Sequence, residues 1–369
     1  MSLQEKSLHV AMELSNKKWR LAFGDGSRER ERVIDARDTG AFLREVALAK
    51  QKLGLAADAP VVSCYEAGRD GFWIHRFLIR QGIRNVVMDP ASIEVPRRSR
   101  TRKTDRLDAK KLLKLLLRTE LFGEKSAFSA VVVPSESAEE ELRLHRERER
   151  VVRERTGHRA RIRSLCILHG LTIGNPATTR FDNLRLWDGK ALPAPLLAEL
   201  KREQHRLQLI EEQLDKIEKI QQDALKKPPT RTVEFSRKLM RLKGIGTQGG
   251  WLLGHECFGW RTFQNRKHLG SFAGLTGTPY DSGDTLREQG ISKAGSRRVR
   301  GTMIELAWGW VRWQPESALT RWYYDRYVLN GTSRSKRKGI VALARKLLIA
   351  LWKYLEQDIV PEGAILKGI

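Results

Sequence analysis

The segment KTDRLDAKKLLKLL, from Lys103 to Leu116, sets two carboxylates, Asp105 and Asp108, three residues apart. Residues at that spacing share one face of a helix, so the two acids repel each other, and a purely structural helix gains little from the pairing. Divalent cations would relieve the repulsion, because Mg²⁺ takes carboxylate oxygens and bridges phosphates. Ten Lys and Arg lie between Arg97 and Arg118, among them Arg97, Arg98, Arg100 and Lys103, and they would draw in a polyanion. The alternative is a solvated helix laced with charge. Two more acids extend the set: Glu13 in LHVAMELSNKKWRLAF and Glu66 closing PVVSCYEAG. Glu13, Glu66, Asp105 and Asp108, each at the end of an element, can converge on one edge of a sheet. That donor set suits a two-metal site for in-line displacement at a phosphate.

The elements that must carry these acids are legible from periodicity. LHVAMELSNKKWRLAF reads as a strand, a tight connection and a second strand. RDTGAFLREVALAKQKLGL and DGFWIHRFLIRQGI have helical periodicity, and PVVSCYEAG and IRNVVMDP are short apolar runs of strand type. Strands alternating with helices predict an α/β layer over residues 1–125 with at least one parallel pair. Residues 126–230 hold two long charged helical patterns joined by the turn-rich GNPATTRFDNLRLWDGKALPAP. They predict an antiparallel helical hairpin or coiled coil, begun at Ser135 or Ser137 with Glu in the first turn. Nine Arg between Arg143 and Arg163 suggest that its first arm also grips nucleic acid, whereas His145, His158 and His169 read as packing or surface residues rather than ligands.

Residues 231–369 read as mostly α. LMRLKGIGTQGGWLLGHE runs helix, Gly244-Ile245-Gly246, helix, a helix–hairpin–helix-like element. Ser282 precedes a glycine in a turn-prone stretch where a nucleophile can be presented, while Ser292 is the rival hydroxyl, suited to capping a helix near Lys293. Lys293, Arg297, Arg298 and Arg300, and the basic run Lys336, Arg337 and Lys338, are candidate phosphate contacts. The aromatic run from Trp308 to Tyr327 reads as the core of a small helical domain, and Leu343, Leu347, Leu351 and Leu355 as one apolar helix face.

The totals narrow the class. A net charge of +25 over 369 residues is large for an enzyme of small molecules and favours a nucleic-acid partner. No run of about 18 apolar residues is present to span a bilayer, so no membrane role is expected. Three separated cysteines, Cys64, Cys166 and Cys257, form no zinc spacing, and a reducing, cytoplasmic setting follows.

YEAG and KTDRLDA resemble the corresponding stretches of the RuvC-like, ribonuclease-H-type domain of the Piv-type "DEDD" transposases, the insertion-sequence one-ten family. GLTGTP, Ser282-Gly283 and Ile291-Ser292-Lys293-Ala294-Gly295, with basic residues beyond, resemble that family's transposase domain. The first acid departs, since Glu13 stands where the family usually shows Asp. The resemblance implies a RuvC-like catalytic domain over 1–125, a helical coiled-coil insert over 126–230 and a transposase domain over 231–369. It implies Mg²⁺ at Glu13, Glu66, Asp105 and Asp108 and a 5′-phosphoserine intermediate at Ser282. It further implies double-stranded target and donor DNA, a structured bridge RNA, homodimers and homotetramers, and a cytoplasmic, nucleoid-associated site of action. Two other readings stay open: a junction-resolving nuclease using metal-activated water, and a non-catalytic nucleic-acid scaffold.

Overall fold

LHVAMEL, buried from Leu8 to Met12 on both of its faces, forms in the computed structural model the central strand of a five-stranded sheet. The structure describes residues 6–93, 105–124, 126–228, 230–282, 285–329 and 331–367, without the side chains of residues 91, 105–107 and 279–289. Arg97, Arg98, Arg100 and Lys103 lie outside the described residues. The chain divides into two compact units, Met1–Val133 and Pro134–Ile369.

In the first unit the sheet order is β3-β2-β1-β4-β5, with β1 at Leu8–Leu14, β2 at Lys18–Gly24, β3 at Glu29–Asp35, β4 at Val61–Glu66 and β5 at Arg84–Met88. β1, β2 and β3 form an antiparallel meander, while β4 runs parallel to both β1 and β5. The α/β expectation with a parallel pair therefore describes this unit. β3 is the element that the sequence pattern does not reveal. Only Ile34 of ERERVID is buried, so the strand carries no apolar alternation. Its charged, exposed face is what a sheet edge uses to discourage pairing with other chains.

The two faces of the sheet are covered differently. Leu8, Val10 and Met12 of β1 pack with Phe42 and Val46 of α1 (Thr39–Leu53) and Ile74 and Leu78 of α2 (Trp73–Arg80). Ala11, Val62 and Cys64 on the other face pack with Ala109, Leu112, Leu113 and Leu116 of α3 (Asp105–Phe122). Two helices crowd one face and a single one lies on the other, where the sheet's small Ala and Cys side chains allow close approach.

The second unit opens with α4 (Glu136–Ile167), whose N-terminus is capped by Ser135 accepting from the Ala138 N–H. It pairs with α5 (Ala194–Ala224). Cross-links from Arg148 to Glu218 at 2.6 Å, from Arg159 to Glu211, and from Arg161 to Glu203 at 2.7 Å show the two helices running antiparallel. α6 (Arg231–Met240) leads to the Gly244 turn, with φ +91°, and to α7 (Thr247–Leu252), which continues into a π-helical turn at Leu253–Phe258. Then come α8 (Arg266–Phe272), the antiparallel hairpin of β6 (Gly277–Ser282) and β7 (Thr285–Ile291), and α9 (Arg297–Trp313). α10 (Ala318–Tyr323) ends in a second π-helical turn, Tyr324–Val328, before α11 (Ser333–Gln357). α11 buries Leu343, Leu347, Leu351 and Leu355 against Met303, Ala307 and Trp310 of α9. Trp310 and Tyr323 are core residues as expected, whereas Trp308, Trp313 and Tyr324 are exposed. No helix among the described residues is long and apolar enough to cross a membrane.

Candidate active site

Backbone pairing brings two of the acids side by side. β1 and β4 pair in parallel at a constant offset, from Leu8 beside Val61 to Met12 beside Tyr65. The next step of that register sets Glu13 beside Glu66, both at the carboxyl ends of their strands. Neighbouring strands lie about 4.8 Å apart, and residues at matched positions of a parallel pair share a face. That face is the one under α3, because Ala11 and Cys64, each two residues earlier, pack against that helix.

α3 brings a third acid to the same level. The Cys64 thiol lies 3.8 Å from the Leu112 carbonyl, which fixes Leu112 above the middle of β4. Glu120, near the far end of the helix, pairs with Arg84 at the start of β5, so α3 runs opposite to the parallel strands. Asp108 stands four residues before Leu112, about 6 Å along the axis, and Glu66 stands two residues beyond Cys64, about 6.6 Å along the strand. Asp108 therefore projects from α3 at the level of Glu13 and Glu66. Asp105 is the first residue of the helix, one turn further out, and its side chain lies outside those described.

The surroundings are electrostatically mixed. Arg20 of β2 sits across the strand pair from Glu13, a cationic neighbour that spacing along the chain does not disclose. Glu66 is exposed, while Glu13 and Asp108 are half-buried. Among the described residues, no group of three or more His, Cys, Asp and Glu side chains is gathered tightly enough to hold a metal ion. The donor chemistry is nonetheless that of a hard cation: carboxylate oxygens, with no thiol or imidazole among them.

The second set of candidates lies on and after the β6–β7 hairpin. Ser282 is the last residue of β6 and pairs with Thr285, which puts it at the mouth of the turn; its side chain is outside those described. Ser292 is tied back: its N–H donates to the Thr276 carbonyl at 2.8 Å, and its hydroxyl lies 3.3 Å from the Thr276 hydroxyl. Ser292 does not cap the following helix. Ser296 does, accepting from the Val299 N–H at 3.3 Å, because the helix starts four residues later than the Lys293 expectation.

The basic candidates divide by partner. Arg300 donates to the Lys293 carbonyl at 2.9 Å and so braces the loop before α9. Arg298 pairs with Glu149 of α4 at 2.6 Å. Lys293, Arg297, Lys336, Arg337 and Lys338 are exposed.

A buried ionic cluster holds α4 to the π-helical turn, and composition gave no sign of it. Glu256 accepts from His145 Nε2 at 2.9 Å and from Arg146 Nε and Nη2 at 2.8 and 3.1 Å. Although burial opposes its charge, hydrogen bonds from His145 and Arg146 and the Arg146 charge hold the Glu256 carboxyl down at about 2. His255 stacks on Trp251, donates from Nδ1 to the Trp251 carbonyl, and is pushed down by burial to about 4. His145 is thus a buried structural partner, consistent with its reading as a packing residue.

Comparison with known proteins places the chain. A model of the "Transposase IS116/IS110/IS902 family" matches residues 236–322, which include the Gly244 turn, the hairpin and α9. The "Putative transposase y4rJ" of Sinorhizobium fredii is 38% identical over 378 residues, covering 98% of this chain and 95% of that protein. "Putative transposase y4qE" of the same organism is 27% identical, over 67% of this chain and 58% of that protein. A Streptomyces coelicolor protein named "Insertion element IS110 uncharacterized 43.6 kDa protein" is 25% identical, over 37% of this chain and 32% of its own length. The chain belongs to the IS116/IS110/IS902 family of transposases. Its substrate is DNA and its function is the movement of a mobile element, by cutting and rejoining strands.

Proposed function

We propose that this transposase is a site-specific recombinase that cuts and rejoins DNA through a 5′-phosphoserine at Ser282, aided by Mg²⁺ at a RuvC-like, ribonuclease-H-type acidic site. The observation that supports the reading is the β1–β4 register, from Leu8 beside Val61 to Met12 beside Tyr65, which extended by one step brings Glu13 and Glu66 together at the strand ends, under the end of α3 that begins at Asp105. The sheet order β3-β2-β1-β4-β5, an antiparallel meander followed by two parallel strands, supports the ribonuclease-H-type assignment.

Glu13, Glu66, Asp105 and Asp108 would hold the divalent cations. When bound, these supply charge neutralisation at the phosphate oxygens and acidify an attacking hydroxyl. In the cutting step Ser282 Oγ bonds to phosphorus and its proton passes through solvent to the departing O3′. The phosphorus–O3′ bond breaks, and a free 3′-hydroxyl leaves. In rejoining, a 3′-hydroxyl from the second DNA attacks the phosphoserine, and Ser282 recovers its proton. The ester conserves the energy of the broken phosphodiester, so no cofactor is consumed. Ser282 is favoured over Ser292 because the Ser292 hydroxyl and amide are both engaged with Thr276. Further parts of the reading are a structured bridge RNA as guide, homodimers and homotetramers on two DNA sites, the α4–α5 pair acting as a coiled-coil insert, and action at the nucleoid.

The test is covalent trapping on nicked element-end DNA with Mg²⁺, followed by peptide mass spectrometry. The expected result is an adduct on Ser282, absent in Ser282→Ala, present in Ser292→Ala and absent in EDTA. An adduct on Ser292 overturns the choice of serine. Metal-dependent cutting without any adduct makes the protein a junction-resolving nuclease, and binding without cutting under any metal or RNA makes it a scaffold.

A further inference from the structure

Among the described residues, three that are not glycine hold left-handed backbone: Arg37 with φ +70°, Lys293 with φ +57° and Asp358 with φ +57°. An L side chain is disfavoured there, and a glycine would relieve the cost. Two of the three have a partner that accounts for the side chain. The Arg37 guanidinium faces Asp70 at 3.7 Å and the Asn16 carbonyl at 3.4 Å. Asp358 pairs with Lys238 at 2.5 Å. Lys293 is exposed and has no such partner among the described residues. Around it, the other positions with positive φ, Gly274, Gly290 and Gly295, are all glycine.

The conformation at Lys293 is imposed by its surroundings. The Lys293 N–H donates to the Gly274 carbonyl at 3.2 Å, and the Lys293 carbonyl accepts from Arg300 at 2.9 Å. On either side, Ser292 N–H reaches Thr276 at 2.8 Å and Ser296 N–H reaches Phe272 at 2.7 Å. A Cβ at Gly295 would stand 2.7 Å from the Ser271 carbonyl, and one at Gly274 would meet the Ala294 carbonyl, so the two loop segments are pressed together. Such over-determined strain is retained where a side chain has work outside the fold. Arg297, one turn into the helix that follows, is likewise exposed, so the neighbourhood is cationic.

We infer that Lys293 is a rigidly presented phosphate-binding residue, gripping one backbone phosphate of the transposase's DNA. The inference deepens the recombinase reading and rests on it for the identity of the substrate, but not on the serine chemistry. The lysine supplies charge at a fixed point of the loop between the hairpin and α9, so it sets where the strand lies rather than reading its sequence.

The test measures equilibrium binding of the full-length protein to a duplex carrying the element end, from 50 to 300 mM salt, for wild type, Lys293→Gln, Lys293→Arg and Lys293→Gly. Loss of one phosphate contact lowers the slope of log K against log salt by about 0.9, and weakens binding roughly eightfold near 0.1 M salt. Lys293→Gln should show both effects with an unchanged melting temperature, and Lys293→Arg should restore the slope. Lys293→Gly should lose the contact like Lys293→Gln yet melt a few degrees above wild type, which a merely structural lysine would not do. An unchanged DNA slope in Lys293→Gln, a lower melting temperature in Lys293→Gly, or an altered slope seen only with an RNA duplex overturns the inference. Run in the Ser282→Ala background the binding assay gives the same answer, so its failure leaves the serine reading standing, and the trapping result leaves this one untouched.

Discussion

Glu256→Gln should destabilise the protein by about 2–3 kcal/mol at neutral pH, and the loss should shrink in acid. The carboxyl lies at about 2 rather than its ordinary 4.5. At 1.36 kcal/mol per unit that depression corresponds to about 3 kcal/mol of native-state stabilisation. Some of it is screened, because the Arg146 side chain is 38% exposed while that of Glu256 is 9% exposed. Removing one partner of a buried pair costs about 3–5 kcal/mol when the other charge is stranded, and glutamine's retained oxygen softens that. For a unit of this size the melting temperature should fall by about 5–10 °C. The sign with pH follows from the depressed value. The stabilisation is fully present above pH 4.5 and is lost as pH falls towards 2, with more than half gone by pH 3. Thermal melts of wild type and Glu256→Gln by circular dichroism at pH 7, 5, 4 and 3 read the gap directly. Arg146→Ala combined with Glu256→Gln should cost less than the two changes summed, since they break one contact. A gap under 1 °C at pH 7, or one as wide at pH 3 as at pH 7, refutes the reasoning.

Asp108→Asn and Glu66→Gln should each lower strand cutting by at least about a hundredfold while element-end DNA is still bound; equal loss of binding in a gel-shift titration would count against a metal role. His255 is neutral in the fold, at about 4 against an ordinary 6.5, so the unfolded chain takes up its proton first and stability declines as pH falls from 6.5 to 4. His255→Phe, which keeps a ring over Trp251, should flatten that part of the stability–pH curve. Gly254→Ala should cost about 2–3 kcal/mol by chemical denaturation, because its Cβ would collide with Ser236 Oγ and stand 2.9 Å from the Thr232 carbonyl of α6. Leu347→Ala, at a fully buried position of α11, should cost about 2–5 kcal/mol by the same measurement.

How much could be read beforehand depended on whether the signal was local. α1, α2 and α11 and the paired helices α4 and α5 were legible because their apolar positions recur along one segment. β1, β4 and β5 were legible as apolar runs, and Glu13 and Glu66 as acids at the ends of such runs. What the chain does not disclose is pairing. β3 is hidden because its residues serve an edge, and β6 and β7 because GTPYDS and TLREQGI carry no apolar alternation. The expected start of α9 near Lys293 is several residues early, because the backbone bracing that holds Ser292 to Ser296 in a loop joins them to Phe272, Gly274 and Thr276 rather than to near neighbours. The contact of His145 and Arg146 with Glu256 joins residues about 110 positions apart, and an Arg-rich helix offers no sign of which arginine is buried.

The same distinction bears on what a departure from a family's acid pattern means. Glu in place of Asp at position 13 lengthens a side chain by one methylene, but the reach of a ligand is set by its backbone as well. Here that backbone is fixed by two ladders at once, antiparallel to β2 and parallel to β4. The antiparallel ladder runs on to Leu14 and the parallel one to Met12, one residue short of Glu13, so residue 13 has little freedom to move along the strand and most adjustment falls to the side chain. Glutamate has one more rotatable bond with which to make it. With Arg20 across one ladder and Glu66 across the other, position 13 lies between a cation and an anion. On the proposed metal reading, a divalent charge would offset the repulsion between the two carboxylates, and the longer glutamate side chain would still reach it.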